Sequence, residues 1–127
     1  MNRRRQVLIL ESDEHLRTEL EHALAGAGFD AVTTREFREA VNFLFSRDID
    51  LVLVGDQPRP HCAGELLRLM RQMQCAPSRI ALLPESTTEA EDLPRLGLTN
   101  GPEDPWCDEI LELVGKQFVR RALTEAA

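Results

Sequence analysis

One stretch decides the fold of this chain: Ile49-Asp50-Leu51-Val52-Leu53-Val54-Gly55-Asp56, followed by Gln57-Pro58-Arg59-Pro60-His61-Cys62-Ala63-Gly64. The four successive apolar residues after Asp50, two of them β-branched, are typical of a strand that is buried on both faces. Strands of this kind belong to parallel sheets that are covered by helices. In open sheets, ligands and chemistry gather just beyond the carboxyl ends of the strands, so Asp56 is the first candidate site residue.

A second apolar run lies near the N-terminus and also ends in carboxylates. The sequence VLIL at residues 7–10 is followed by Glu11, Ser12 and Asp13, which predicts a second buried strand. Two strands then deliver acidic residues to the same edge of the sheet. The next segment has the spacing of an amphipathic helix, with apolar residues at Leu16, Leu20, Ala23, Leu24 and Ala27.

The middle of the chain continues this alternation. A strand is predicted at residues 29–33, and Thr34 is the predicted N-cap of the helix that follows. A third helix is predicted around residues 66–73, and a fourth strand at residues 79–83, before a proline. The apolar face of the second helix is predicted to consist of Phe37, Ala40, Val41, Leu44 and Phe45.

The pattern weakens between residues 85 and 105 and then recovers. Residues 86–96 suit only a brief helix, and residues 98–104 make a poor fifth strand because they contain Asn, Gly and Pro. The last helix is expected to start near residues 106–108, and its tail after about residue 121 is a helix extension or a linker. We therefore predict a single α/β domain over residues 1–127. Its expected architecture is a flavodoxin-like, doubly wound, five-stranded parallel sheet with helices on both faces.

Composition excludes several classes of function. The net charge is −7, so this domain is not expected to bind nucleic acid. Arg3, Arg4 and Arg5 are expected to form the solvated flank of the first strand, with a small anion-binding patch as the alternative. Three cysteines without CxxC spacing indicate neither disulfides nor zinc and favour a reducing cytoplasm. No apolar run is long enough to span a bilayer, so no membrane association is expected.

Three motifs together resemble those of one protein family. They are Asp56-x-x-x-Pro60-x-x-x-Gly64, Glu11-Ser12-Asp13 followed by Arg17, and Leu96-Gly97 followed by Asp104-Pro105-Trp106. In that order, they are similar to the loop after the phospho-accepting aspartate, the acidic cluster that holds Mg²⁺, and the Leu-Gly and Lys-Pro-Phe region of receiver domains. The family is that of the bacterial two-component response regulators, and the resemblance covers nearly the whole chain.

The resemblance implies a site, although other interpretations of the same residues stay open. Asp56 is the phospho-acceptor candidate, and Glu11, Asp13 and Asp56 are candidate ligands for Mg²⁺, the only cofactor expected. Alternatively, Asp56 opens a proline-rich turn, and Glu11 and Asp13 are acids favoured at a helix N-terminus. The segment from Asp50 to Asp56 is one residue longer than is usual in the family. If the extra residue follows the acceptor position, that position is Gly55 and no phosphorylation occurs.

The sequence departs from the family pattern at four positions. The second acid of the family falls on Ser12, the hydroxyl residue after the fourth strand falls on Pro84, and the aromatic residue of the fifth strand falls on about Gly101. The family's lysine falls on Asp104, which reverses a charge and removes the cation that would stabilise a phosphoryl group. A solvated cap residue is the alternative for Asp104. In the family, the hydroxyl residue and the aromatic residue form the switch that responds to phosphorylation. The resemblance therefore implies that this switch is damaged here.

We predict a signalling domain of a phosphorelay, not an enzyme. Its expected form is a degenerate pseudo-receiver that acts by protein–protein interaction, with Trp106 on the partner face. The expected partner is a histidine kinase, an output domain or another signalling protein, and a homodimer is a further alternative. The runner-up is a working receiver that uses Asp56 with Mg²⁺ bound by Glu11 and Asp13. Flavin binding is disfavoured, since the loops lack a Ser-, Thr- and Gly-rich phosphate cradle, and a colourless protein would exclude it.

Overall fold

Strands and helices alternate along the chain, as the spacing of the apolar residues predicts. A computed structural model describes residues 4–55, 62–72, 79–83 and 105–126. The elements are β1 (Gln6–Leu10), α1 (Glu14–Gly26), β2 (Asp30–Thr34), α2 (Phe37–Ser46), β3 (Leu51–Val54), α3 (Cys62–Gln72), β4 (Arg79–Leu82) and α4 (Pro105–Ala126). The segments predicted as a brief helix at residues 86–96 and a fifth strand at 98–104 lie outside the described residues.

The four described strands form one parallel sheet in the order β2-β1-β3-β4. Leu10 at the end of β1 pairs with Thr34 on one side and with Val54 on the other. β1 and β3 are the central strands, and the apolar residues at 7–10 and 51–54 are buried, as predicted for strands covered on both sides. The order matches the first four strands of the flavodoxin-like fold.

Successive strand residues point to opposite faces, so β1 and β3 each contribute side chains to two cores. One core joins the sheet to α1 and α4 through Val7, Ile9, Leu16, Leu20, Leu24, Phe29, Leu51, Leu53, Leu83, Ile110 and Val114. The other joins it to α2 and α3 through Leu8, Leu10, Ala40, Leu44, Ile49, Val52, Val54, Leu66 and Met70. Helices therefore cover both faces, as predicted. None of the described helices is both long and apolar enough to cross a membrane.

Two predictions about α2 are wrong. Thr34 is not its N-cap: it is the last residue of β2, because it still pairs with Leu10, and its hydroxyl accepts a hydrogen bond from the Glu36 backbone N–H at 3.0 Å. Glu36 is the N-cap, without a side-chain capping bond. Phe45 is 69% exposed, since it lies about 100° around the helix from buried Leu44.

Ion pairs and hydrogen bonds connect the amino ends of β1, β2 and β3. Arg4 and Arg5 lie 3.6 Å from carboxylate oxygens of Asp30 and Asp50 respectively. The Asp50 carboxylate also accepts a hydrogen bond from the Gln6 backbone N–H at 2.9 Å. Two of the three N-terminal arginines therefore flank the sheet with partners inside the chain.

Candidate functional site

The carboxyl ends of β1 and β3 meet where the chain changes direction across the sheet. From β1 the chain passes to β2 on one side, whereas β3 is followed by β4 on the other, which is the place where doubly wound folds carry their sites. The first residues beyond these strands are Glu11 and Gly55, and Leu83 follows β4. The Glu11 N–H donates to the Thr34 carbonyl at 2.9 Å, and the Gly55 N–H donates to the Leu10 carbonyl at 2.8 Å.

The Glu11 side chain turns into the protein instead of toward water. The residue is 5% exposed. Its Oε2 accepts hydrogen bonds from the Asp13 backbone N–H at 3.0 Å and from the Ser12 hydroxyl at 3.2 Å. A buried carboxylate needs such donors because they replace the water that it has lost. The loop after β1 thus holds the Glu11 carboxylate at the end of the central strands.

Gly55 is buried directly against this carboxylate. A methyl group on Gly55 would lie 2.9 Å from Cδ of Glu11 and 2.9 Å from Cδ1 of Leu83, and it would also collide with Oε1 of Glu11. The Gly55 backbone is outside the positive-φ region in which glycine is favoured. A side chain at residue 55 would therefore require Glu11 or Leu83 to shift, and the obstacle is space and not backbone conformation.

Arg17 ties the loop after β1 to α1. Its Nη1 donates to the backbone carbonyl of Glu11 at 2.8 Å and to that of Ser12 at 3.0 Å. Asp13 is the N-cap of α1, and its Oδ1 accepts from the Leu16 N–H at 3.1 Å. The loop is therefore held by the helix that follows it.

The predicted Mg²⁺ site is described only in part. Glu11 and Asp13 lie in one loop at the sheet edge, but Asp56 lies outside the described residues. Each of the two described carboxylates has one oxygen that already accepts a backbone N–H. In the described part of the chain, no three His, Cys, Asp or Glu side chains are grouped as a metal site would require. The described residues thus supply two of the three predicted ligands.

The remaining predicted site residues have separate fates. Ser12 is exposed and donates its hydroxyl to Glu11. The predicted switch positions Pro84, Gly101 and Asp104 lie outside the described residues. Trp106 is the second residue of α4, and its side chain is outside the description.

A cleft of about 350 Å³ lies beside this site, between the first turns of α1 and α2. Arg17, Thr34 and Arg35 are among the residues that line it. The Arg17 side chain therefore reaches from the cleft to the loop that carries Glu11. Arg35 lines the same cleft but is an exposed residue.

Sequence reasoning missed the contact of Glu11 with Gly55 and the role of Arg17. For the first, the extra residue between Asp50 and Asp56 indicated Gly55 as an alternative for the acceptor position, but it did not indicate the contact with Glu11. For the second, Arg17 was noted only as part of the motif that begins at Glu11, and an arginine in the first turns of a helix is too common for its backbone partners to be foreseen.

Comparison with known proteins gives the fold. No protein-family profile and no curated protein matches this chain. A response regulator receiver protein from Pseudomonas putida is similar in structure, with 25% identity, 65% of this chain and 69% of that chain covered, and a TM-score of 0.57. The signal receiver domain of an HD domain-containing protein from Pseudomonas fluorescens is 22% identical, with 96% and 99% covered and a TM-score of 0.61. The structure of the histidine kinase ThkA in complex with the response regulator TrrA matches at 17% identity, with 86% and 97% covered and a TM-score of 0.59.

The chain therefore has the fold of a response regulator receiver domain. The predicted resemblance and the predicted α/β class are confirmed at this level.

Proposed function

We propose that this chain is a receiver-like domain of phosphorelay signalling that acts as a pseudo-receiver, through protein–protein contacts and without a phosphorylation switch. The observation that carries the proposal is the occupant of the strand end. Gly55 is the first residue after β3, and the Glu11 carboxylate fills the space that a side chain of residue 55 would need.

Phosphoryl transfer to a protein needs a nucleophile at the place where the phosphate arrives. In the receiver domains that this chain resembles, that nucleophile is an aspartate at the end of the central strand. Gly55 continues the backbone pairing of β3 with β1 through its bond to Leu10, and glycine offers no carboxylate. This supports the alignment in which the extra residue follows the acceptor position, so that Gly55 and not Asp56 takes that position.

Charge supports the same proposal. The resemblance places Asp104 where receivers have a lysine, so the cation that would neutralise a phosphoryl group is lacking from the pattern. Arg17, the cation nearest in sequence to the acidic loop, directs its Nη1 to the carbonyls of Glu11 and Ser12. In the described part of the site, cationic charge holds the loop in place.

The second candidate function is a working phospho-acceptor at Asp56. It is favoured by the position of Glu11 and Asp13 in one loop at the carboxyl edge of the sheet, one residue of chain separating β3 from Asp56. Bound Mg²⁺ would supply charge neutralisation for the phosphoryl oxygens. In this alternative, Glu11 and Asp13 would hold the metal and Asp56 would be the nucleophile.

The partner is proposed to be a signalling protein and not a metabolite. The structure of ThkA with TrrA is of a histidine kinase in complex with a response regulator. For this chain, a histidine kinase, an output domain, another signalling protein or a second copy are the partner classes, and α4 with Trp106 is the proposed face. α4 carries the exposed residues Val119 and Leu123. The cysteine pattern favours the cytoplasm as the place of action.

Incubation with acetyl phosphate and Mg²⁺, followed by intact-mass measurement, tests the proposal. The pseudo-receiver should show no phosphate adduct. An Mg²⁺-dependent adduct that is absent from Asp56→Asn would contradict the proposal and establish the second candidate. An adduct that persists in Asp56→Asn would show nonspecific acylation or phosphorylation elsewhere, which leaves Asp56 without an acceptor role.

A further inference from the structure

The side chain of Glu11 and the missing side chain of Gly55 fit each other in size. Glu11, just after β1, reaches the space beside Gly55, just after β3, and Leu83 borders the same space. All three residues are buried. The Glu11 carboxylate thus stands where a side chain of residue 55 would project.

We infer that the Glu11 carboxylate is a permanent internal occupant of this strand-end position, and that Arg17 is the positioning residue that keeps it there. The inference rests on the proposed function and adds the structural reason why the site does not switch. A group added at the end of β3 would need the space beside Gly55. Here the space is filled from within the chain, so the edge holds one conformation.

The position of Glu11 is fixed at both ends. Its backbone N–H is bound by the Thr34 carbonyl, and its own carbonyl is bound by Arg17. Oε2 accepts from the Ser12 hydroxyl and the Asp13 N–H, and Oε1 lies beside Gly55. Rotation of the carboxylate away from Gly55 would give up these two part-buried hydrogen bonds, and this opposes opening of the site.

A cycle of substitutions tests the fit of the pair. In the wild-type background, Gly55→Ala should lower the folding equilibrium constant by about tenfold or more, because overpacking of a tight interior is costly. In the Glu11→Ala background, the same substitution should cost much less, with the remainder due to Leu83. Gly115→Ala is the control, since a methyl group there meets nothing within 4 Å. Chemical denaturation measures all of these constants.

The cycle stays informative if Gly55→Ala does not fold. Recovery of a folded protein in the double variant would then be the expected result. An equal loss in both backgrounds, or a wild type that tolerates Gly55→Ala as well as Gly115→Ala, would overturn the inference.

A second set of variants tests Arg17. Arg17→Ala removes the hydrogen bonds to the Glu11 and Ser12 carbonyls. It should therefore speed amide hydrogen exchange at Asp13, whose N–H binds Glu11, by about tenfold, which corresponds to the net contribution of a typical hydrogen bond. Arg17→Lys should recover part of the protection, because lysine still donates to a carbonyl. Arg35→Ala is the matched control from the same cleft and should change nothing. Equal effects of Arg17→Ala and Arg35→Ala would contradict the positioning role.

Relaxation-dispersion NMR tests the single conformation. The amides of Asp13, Gly55 and Leu83 should show no exchange on the microsecond-to-millisecond scale in the wild type and should show it in Glu11→Ala. Exchange at these amides in the wild type would contradict the inference. These results are separable from the proposed function, because a phosphate adduct at Asp56 would refute the pseudo-receiver while leaving the outcome of the Gly55 cycle to be read by itself.

Discussion

Asp50 and Gln6 exchange two hydrogen bonds in opposite directions at the amino edge of the sheet. The Gln6 N–H donates to Oδ2 of Asp50 at 2.9 Å, and the Asp50 N–H donates to the Gln6 carbonyl at 2.8 Å. Arg5 adds an ion pair to the same carboxylate. The start of β1 is thereby fixed to the start of β3, which sets the register that brings Glu11 beside Gly55 at the other end.

Asp50→Ala should lower the free energy of unfolding by about 1–3 kcal/mol, because the Gln6 N–H loses its acceptor in a half-buried place. Asp30→Ala is the control: its ion pair with Arg4 joins two side chains that are 51% and 64% exposed, and exposed pairs contribute little. Urea denaturation of both variants measures the difference. Equal losses would show that the Asp50 hydrogen bond does not set the strength of this edge.

Asp13→Ala should lower the free energy of unfolding by about 1 kcal/mol through loss of the N-cap of α1. Asp13→Asn should cost only a few tenths of that, since asparagine caps helices about as well as aspartate. Thermal or urea unfolding measures both. The same pair of variants separates capping from metal binding. If the second candidate function holds, Asp13→Asn should also weaken any stabilisation by Mg²⁺, and a variant with unchanged Mg²⁺ response would speak for capping alone.

Ile110 and Leu123 lie on the same helix, but their different burial predicts a large loss of stability on truncation of the first and a small one on truncation of the second. Ile110 is fully buried and Leu123 is 68% exposed. Ile110→Ala should therefore lower the free energy of unfolding by about 2–5 kcal/mol. Leu123→Ala should change it by no more than about 0.5 kcal/mol. A large loss in Leu123→Ala would mean that this end of α4 is covered in solution, and sedimentation of the wild type would then show whether a second copy covers it.

The architecture was predictable because its signals are local. The VLIL and LVLV runs have no polar residue to turn toward water, so they required cover on both faces, and alternation with amphipathic segments required crossovers. The errors at Thr34 and Phe45 have a common cause. Thr34 suits a cap by residue type, but its pairing with Leu10 extends β2, and Phe45 is apolar but lies beyond the buried face of α2.

The site was less predictable because it depends on contacts between strands. Glu11 and Gly55 are far apart in sequence. Only the register of β1 with β3 brings the Glu11 carboxylate next to the Gly55 backbone. Asp13 was foreseen both as a metal ligand and as an acid at a helix start, and the structure makes it the N-cap of α1. Its role as a ligand, like that of Asp56 as acceptor, stays a prediction.

The most direct test of the central claim is the amide NMR spectrum of the wild-type protein with Mg²⁺ and beryllofluoride, which mimics a phosphoryl group. If Gly55 takes the acceptor position and the Glu11 carboxylate fills the space beside it, beryllofluoride has no site there. The amides of Ser12, Asp13, Gly55 and Leu83 should then keep their chemical shifts. Saturable shifts at these amides that vanish in Asp56→Asn would contradict the account and identify Asp56 as a working acceptor.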